Sequence, residues 1–216
     1  MMILAYLSFA VGVVVSVLYL GLIHAPQSLL RSATKTLPLL AFALAAYLSG
    51  APVWLTAALF LSALGDLALS REGRAAFLYG LCSFALAHLL FIILFQSLGG
   101  GAIWSAFAVA PIFALALFVV SASSELWLAP FTGALRWPVR IYVILITLMG
   151  LAALALPAGY GVVALGAGLF ILSDMILSIR LFRLPEGDPR ARPAAVALWV
   201  SYIAGQVLIL LGIAPF

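Results

Sequence analysis

The feature that most constrains the fold is the length of the stretches that carry no charge. Residues 36–65 contain no Asp, Glu, Lys or Arg, and another uncharged stretch leads up to Asp174. The whole chain is 67% hydrophobic and 7% charged, whereas soluble domains have about 25% charged residues. A water-soluble fold of 216 residues cannot bury so much apolar surface, so the sequence predicts a polytopic membrane protein. The apolar segments lack strand-like alternation, which favours a helix bundle over a barrel.

The apolar segments are divided by places where Gly, Pro and polar residues gather. Because a helix needs about 20 apolar residues to cross a bilayer, we predict an all-α bundle of eight transmembrane spans. It forms a single membrane domain over residues 1–216. The span at 34–49 is the shortest. The predicted spans are residues 2–23, 34–49, 52–70, 75–97, 102–122, 138–156, 160–181 and 194–214.

The basic residues all fall on one side of this eight-span arrangement. A seven-span arrangement would scatter them over both sides. By the positive-inside rule that side is the cytoplasm, which predicts that both termini are periplasmic. The arginine-rich, alanine-rich composition hints at a bacterial gene, so we expect the inner membrane. The ten basic residues are Arg31, Lys35, Arg71, Arg74, Arg136, Arg140, Arg180, Arg183, Arg190 and Arg192.

Two similar segments lie half a chain apart. They read LGDLALS (64–70) and LSDMILS (172–178), and each contains one aspartate, Asp66 or Asp174. Four spans separate them, so both enter the membrane in the same direction. This predicts a parallel repeat of two four-span halves, residues 1–100 and 101–216. The repeat would place the two aspartates at the same depth in the membrane. Lys35 and Arg140 also match, because each introduces the second helix of its half.

Ionisable side chains within the spans are candidates for function because they are costly in a bilayer. They are Asp66, His88 and Asp174. The aspartates could instead join helices by pairing with Lys35, Arg140 or helix-end amides. His88 alone could be a hydrogen-bonding residue between helices.

Other residues in the spans are predicted to have packing roles. Tyr202 and Gln206 are typical of packing and hydrogen bonding more than of catalysis. Gly65, Gly80 and Gly166 are expected to let neighbouring helices approach closely.

The sequence supports neither a metal site nor a nucleic-acid surface. Its two histidines and one cysteine are widely separated, which argues against zinc. No Walker A, GxSxG or dinucleotide motif is present. The net charge of +4 has a topological explanation, and no basic block is interleaved with aromatic residues. We therefore expect no nucleic-acid partner and no metal.

Four segments of the chain stand out by their order and spacing. They are SALGDLAL (62–69), YGLCSFALAHLLF (79–91), GAGLFILSDMILSIRLF (166–182) and SYIAGQVLILLG (201–212). In this order and spacing they resemble the YhhN family of integral membrane proteins, the lysoplasmalogenase family. The resemblance covers most of the chain from about Lys35 onward.

This resemblance implies an eight-helix fold whose site opens toward the cytoplasm. It implies hydrolysis of the vinyl ether bond of lysoplasmalogens to a fatty aldehyde and glycerophospho-choline or -ethanolamine. The partners would be a lysophospholipid substrate and membrane lipids. The positions that match the family's polar residues are Lys35, Asp66, His88, Tyr142, Ser173, Asp174, Tyr202 and Gln206.

The chemistry of a vinyl ether suits two carboxyl groups. The electron-rich double bond resists nucleophiles, but a proton on the carbon distal to oxygen gives an oxocarbenium ion that water attacks. One protonated aspartate would act as the acid and one carboxylate would stabilise the cation, a division of labour known from glycosidases. Asp66 and Asp174 could share a proton in this way. No cofactor is needed, and Lys35 with nearby arginines could hold the lipid phosphate.

Three other functions remain open at the level of sequence. A proton-coupled transporter of small molecules or lipids could use the same aspartate pair, and parallel repeats occur in transporters. Intramembrane aspartyl proteolysis also uses two aspartates, although a lone Gly-Asp is a weak signal. A non-catalytic scaffold would leave both aspartates unexplained.

Overall fold

A computed structural model describes residues 1–99 and 101–216, and within them all regular structure is helical, which confirms the all-α prediction. Short 3₁₀ turns lie at Ile103–Ser105, Ala129–Phe131 and Gly133–Leu135. The α-helices are α1 (Met2–Leu22), α2 (Leu29–Ser49), α3 (Val53–Leu69), α4 (Arg74–Ser97), α5 (Ala106–Val109), α6 (Pro111–Trp127), α7 (Arg136–Leu154), α8 (Gly161–Phe182) and α9 (Ala191–Ile213).

Seven helical segments of the described chain are long and apolar enough to cross a membrane, so the protein is an integral membrane protein. The remaining long helix, α3, is apolar but has 17 residues. That length is about 26 Å and lies at the lower limit of about 17 residues for a spanning helix. The seven segments are Met2–Leu22, Leu29–Ser49, Arg74–Ser97, Pro111–Phe131, Gly133–Leu154, Gly161–Phe182 and Ala191–Ile213.

Helix α2 is longer than the predicted span at 34–49. It begins at Leu29 because Ser28 caps it: the Ser28 hydroxyl accepts a hydrogen bond of 3.2 Å from the Arg31 amide. Such a cap satisfies one of the free N–H groups of the first turn. The helix ends at Gly50, whose φ of 79° suits glycine. Arg31 and Lys35 therefore lie within α2 instead of preceding it.

The predicted span at 102–122 is wrong in its start. Ala110 has φ −138° and ψ 64°, which are not helical, and Pro111 occupies the first position of α6. Proline disfavours helical geometry in the residue before it but suits the first turn of a helix. The short α5 therefore ends at Val109, and α6 continues to Trp127.

The described residues form two compact units. Unit 1 comprises residues 1–94 and 210–216, and unit 2 comprises residues 95–209. In unit 1, α2 packs against both α1 and α3, and in unit 2, α7 packs against both α6 and α8.

Each unit contains a helical hairpin that turns at a glycine with positive φ. In unit 1, Gly50 (φ 79°) lies between α2 and α3, and in unit 2, Gly159 (φ 110°) lies between α7 and α8. Positive φ is readily accessible to glycine and strained for most other residues. These two hairpins carry the predicted aspartates on their second helices.

Candidate active site

Lys35 and Asp66 form an ion pair in the hairpin of unit 1. They lie almost equally far along the chain on either side of Gly50, so the antiparallel helices bring them to the same level. The Lys35 Nζ lies 3.6 Å from Asp66 Oδ1, and the two side chains are 14% and 4% exposed. Both charges are thus largely withdrawn from solvent and compensate each other.

A chain of hydrogen bonds ties the same end of this hairpin together. The Ser70 hydroxyl donates to the Ser32 hydroxyl at 2.9 Å, and the Gln27 amide donates to the Ser70 carbonyl at 2.8 Å. Ser32 and Ser70 are buried. Sequence reasoning did not single out Ser32 or Gln27. The signal was available, because Ser32 and Ser70 lie at similar distances along the chain on either side of Gly50.

Helix α4 approaches α3 closely beside Asp66. A Cβ atom on Gly65 would lie 2.6 Å from the Phe84 ring, and one on Gly80 would lie 2.7 Å from Leu69. These distances confirm that both glycines permit close helix approach. His88, one turn beyond Phe84, is fully buried, and its Nδ1 is 2.6 Å from the Phe84 carbonyl oxygen. Since a carbonyl only accepts, Nδ1 carries the hydrogen of this bond.

Asp174 has a hydroxyl partner in the hairpin of unit 2. The Tyr142 hydroxyl donates a hydrogen bond of 2.9 Å to Asp174 Oδ2. Tyr142 and Asp174 lie at similar distances along the chain on either side of Gly159. The register is therefore close to that of the Lys35–Asp66 pair. Both Tyr142 and Asp174 are half-buried.

Arg140, which matches Lys35 in the predicted repeat, pairs with a glutamate. Arg140 donates two hydrogen bonds to the Glu125 carboxylate, at 2.8 and 2.6 Å, and lies over the Trp137 ring. A bidentate pair of this kind satisfies both planar groups. In unit 2, Tyr142 has the position relative to Asp174 that Lys35 has relative to Asp66 in unit 1.

The two aspartates lie at different distances from the ends of their helices. Asp66 is in the last turn of α3, which ends at Leu69, whereas Asp174 is more than two turns from Phe182, the last residue of α8. At 1.5 Å per residue these distances are about 5 Å and about 12 Å. The LSDMILS segment therefore does not end its helix, because α8 continues through Arg180 to Phe182.

The remaining predicted residues of unit 2 lie in its interior. Ser173 is buried and its hydroxyl donates to the Phe170 carbonyl at 2.7 Å. The Tyr202 ring packs against Phe170 and Trp199, at centroid distances of 5.4 and 5.9 Å. Gln206 is fully buried. The contact between Tyr202 and Phe170 packs α9 against α8.

That packing depends on two glycines. A Cβ atom on Gly166 would lie 2.7 Å from the Gly205 carbonyl oxygen, and one on Gly205 would lie 2.7 Å from the Gly166 carbonyl oxygen. The backbones of α8 and α9 are thus in direct contact. The predicted role of Gly166 in close helix approach is confirmed.

Each unit thus presents one aspartate held by a polar side chain from the preceding helix. Carboxyl groups can donate or accept protons and can stabilise a developing positive charge. Residues 30–213 match the YhhN family. The chain belongs to the YhhN family.

Two proteins of similar sequence support the same family assignment. A protein named lysoplasmalogenase from Mycobacterium bovis is 36% identical over 162 residues, which cover 74% of this chain and 59% of that protein. A protein named lysoplasmalogenase TMEM86A from Bos taurus is 30% identical over 165 residues, 71% of this chain and 62% of that protein. The chain thus spans about three fifths of the length of these relatives. No solved structure matches this member of the YhhN family.

Proposed function

We propose that this protein hydrolyses the vinyl ether bond of a lysoplasmalogen, giving a fatty aldehyde and a glycerophospho-choline or -ethanolamine. The observation that carries the proposal is the 36% identity to a protein named lysoplasmalogenase. The partnered aspartates of α3 and α8 support it, because vinyl ether hydrolysis requires an acid. The named relatives favour this hydrolase over a transporter.

In the proposed reaction, Asp66 and Asp174 supply the acid and the carboxylate. One carboxyl transfers its proton to the vinyl carbon distal to oxygen, and the other stabilises the oxocarbenium ion by its charge. Water then adds to the cationic carbon and returns a proton to the first carboxylate. The hemiacetal collapses as its hydroxyl proton moves to the departing glycerol oxygen. One water is consumed and both carboxyls regain their starting states.

The other family-matched residues have supporting roles in this proposal. Lys35 and Tyr142 hold the aspartates, and His88 stiffens α4 where it packs on α3. Ser173, Tyr202 and Gln206 are buried in unit 2, and Tyr202 packs α9 against Phe170 of α8. The reaction uses no metal or cofactor, since proton transfer and charge stabilisation are sufficient.

The proposed topology has eight spans, with α3 as the span that is shorter than the others. Both termini face the periplasm of a bacterial inner membrane, and the site opens toward the cytoplasm. Its support is that all ten basic residues lie in alternate connections or within the two helical turns that adjoin them. Two halves related by a pseudo-two-fold axis along the membrane normal complete the proposal.

The test is product analysis with purified protein in detergent. A lysoplasmalogen is incubated with the protein, and mass spectrometry follows the fatty aldehyde and the glycerophospho product. The matched control is a lysolipid with a saturated ether of the same chain length. It should remain intact because it has no double bond to protonate. If folded protein releases no aldehyde from the vinyl ether, the proposed function is wrong.

A further inference from the structure

One end of unit 2 carries exposed aromatic and arginine side chains that the proposed reaction does not use. Helices α6 and α8 end there, α7 begins there, and two 3₁₀ turns connect α6 to α7. The Arg140–Glu125 pair joins α7 to α6 at this end. The guanidinium carbon of Arg183, the residue that follows α8, lies 3.8 Å from the centre of the Phe131 ring. This contact joins the end of α8 to the connection between α6 and α7.

The contact with Phe131 occupies one face of the Arg183 guanidinium and leaves its edge exposed. The aromatic ring attracts the cation, and the N–H donors of a guanidinium all lie in its plane. Among the described residues, the exposed Arg183 side chain has no hydrogen-bond acceptor and no carboxylate partner. Its backbone N–H donates to the Ile179 carbonyl at 2.9 Å, so the side chain starts from a fixed point. Arg183 therefore presents a fork of donors, the geometry that suits two hydrogen bonds to a phosphate.

The contact between Arg183 and Phe131 lies where a membrane would present its phosphates. Two of the candidate membrane spans are Pro111–Phe131 and Gly161–Phe182. Phe131 is thus the last residue of one span, and Arg183 immediately follows another. The ends of spans lie at the headgroup layer, where aromatic residues and arginines are enriched. A phosphate that meets the Arg183 guanidinium at this level belongs to a phospholipid.

Large apolar side chains are exposed around the same end of unit 2. Leu126, Phe131 and Trp137 are 80%, 53% and 70% exposed. Trp137 lies in the first turn of α7, and the Arg140 guanidinium carbon is 4.9 Å from the centre of its ring. Such amphipathic combinations of ring and cation are suited to the boundary between hydrocarbon and headgroups. These side chains favour a lipid over a soluble anion as the occupant.

The charge at this end favours an anionic lipid over a zwitterionic one. It carries six arginines and three carboxylates, an excess of three positive charges. Glu125 and Asp188 are already compensated by arginines. Arginines near a membrane surface attract anionic lipids, whereas they repel the ammonium group of a choline lipid. The arginines are Arg136, Arg140, Arg180, Arg183, Arg190 and Arg192, and the acids are Glu125, Glu186 and Asp188.

We propose that Arg183, stacked on Phe131, binds the phosphate of an anionic phospholipid in the leaflet at this end of unit 2. The edge of the guanidinium donates two hydrogen bonds to phosphate oxygens, and the Phe131 ring fixes the plane of the guanidinium. The occupant is a lipid of the bilayer and not the substrate of the proposed reaction. The site is therefore independent of the proposed function, and its test uses no activity measurement.

The test is lipid binding to the purified protein, followed by native mass spectrometry in detergent. Phosphatidylglycerol is titrated as the anionic lipid, and phosphatidylcholine with the same acyl chains as the zwitterionic one. The parent protein should bind phosphatidylglycerol more tightly. Arg183→Gln should lower that affinity about fivefold, the usual effect of one arginine near an anionic lipid surface. Arg183→Lys should restore only part of it, since lysine lacks the planar fork.

Two further variants separate stacking from net charge. Phe131→Leu keeps an apolar side chain but removes the aromatic face, so it should weaken phosphatidylglycerol binding about two- to fivefold without changing any charge. Arg190→Gln is the matched control, because Arg190 lies at the same end of unit 2 and already pairs with Asp188. It removes the same charge as Arg183→Gln and should lower the affinity less. Thermal unfolding shows which variants are folded, and Phe131→Leu and Arg183→Lys decide the matter if Arg183→Gln is not.

Four results would overturn the proposal. The parent protein could bind both lipids equally, or Arg183→Gln could bind phosphatidylglycerol as the parent does. An equal loss of affinity in Arg190→Gln would show that only the summed charge matters. Displacement of phosphatidylglycerol by inorganic phosphate at the same concentration would show that the site binds a free anion instead of a lipid.

Discussion

At the scale of single residues, Asp66 and Asp174 differ more than their sequence motifs do. Both follow small residues in apolar helices, yet one is buried beside an ammonium and the other is half-buried beside a phenol. Their importance was predictable because a carboxyl in an apolar span needs compensation. Their partners were not, since Lys35 and Arg140 were equally plausible from sequence and Tyr142 entered only through the family resemblance.

Under the proposed function, neither aspartate is redundant. Asp66→Asn and Asp174→Asn should each lower turnover by at least about 10²-fold, the usual effect of losing acid–base catalysis. The double variant should be little worse than either single variant, because the two groups act as a unit. Steady-state aldehyde release measures this, with Asp188→Asn as the matched control outside the spans. A folded single variant with near-parental turnover would rule out the two-carboxyl mechanism.

Removing Lys35 should destabilise the protein through Asp66. Lys35→Met leaves a buried carboxylate without its ammonium partner, which costs about 3 kcal/mol for pairs of this kind. The double variant Lys35→Met/Asp66→Asn should recover most of that loss because neither charge of the pair is left behind. Thermal unfolding in detergent measures both.

The control for this comparison is Arg71→Met, which removes an exposed basic residue and should leave the melting temperature nearly unchanged. Equal melting temperatures for Lys35→Met and the control would show that the ion pair contributes nothing to stability.

At the scale of secondary-structure elements, close backbone contact between α8 and α9 fixes the position of Asp174's helix. The lengths of the apolar segments and the breaks between them were sufficient to predict most helices to within a few residues. The starts of α2 and α6 were missed because the Ser28 cap and the first-turn proline at Pro111 are local signals that an apolarity count does not register. The predicted role of Gly166 as a small contact residue needed no structural information.

Replacing the contact glycines should separate these helices. Gly166→Ala or Gly205→Ala places a Cβ 2.7 Å from a backbone carbonyl, which cannot rotate away as a side chain can. Each should lower stability by about 1–3 kcal/mol, the usual cost of overpacking. Thermal unfolding in detergent measures the loss.

Gly168→Ala is the matched control for Gly166→Ala. It is in the same helix, and its Cβ would meet nothing within 4 Å. Alanine favours helix over glycine by roughly 0.5–1 kcal/mol in water, so this variant should be neutral or slightly stabilising. A Gly166→Ala variant as stable as Gly168→Ala would show that α8 and α9 tolerate separation.

At the scale of the whole molecule, the number of membrane crossings depends on α3. Seven described helical segments meet the length for a span, and α3 is at the limit. The sequence predicted eight spans from the placement of basic residues, a signal that comes from the direction of insertion and not from packing. The symmetry between the predicted halves stays a prediction, although both hairpins place a polar partner opposite an aspartate.

Reporter fusions on either side of α3 test the topology directly. A fusion at Ala51 should report a periplasmic location and a fusion at Gly73 a cytoplasmic one, because α3 lies between them. Fusions at Pro157 and Gly187 should give the same contrast across α8 and serve as the matched control. If Ala51 and Gly73 report the same side, α3 does not cross and the eight-span topology is wrong.

The shortness of α3 has a consequence for the surrounding lipid. A crossing helix of about 26 Å is shorter than a hydrocarbon core of about 30 Å, so hydrophobic mismatch would thin the bilayer beside it at a cost of fractions of a kcal/mol per Å. The thinned region would lie next to the last turn of α3, which carries Asp66. In this thinned region, the polar head of a single-chain lipid would have a thinner hydrocarbon layer to cross. Bilayers of longer acyl chains should oppose this thinning and slow turnover.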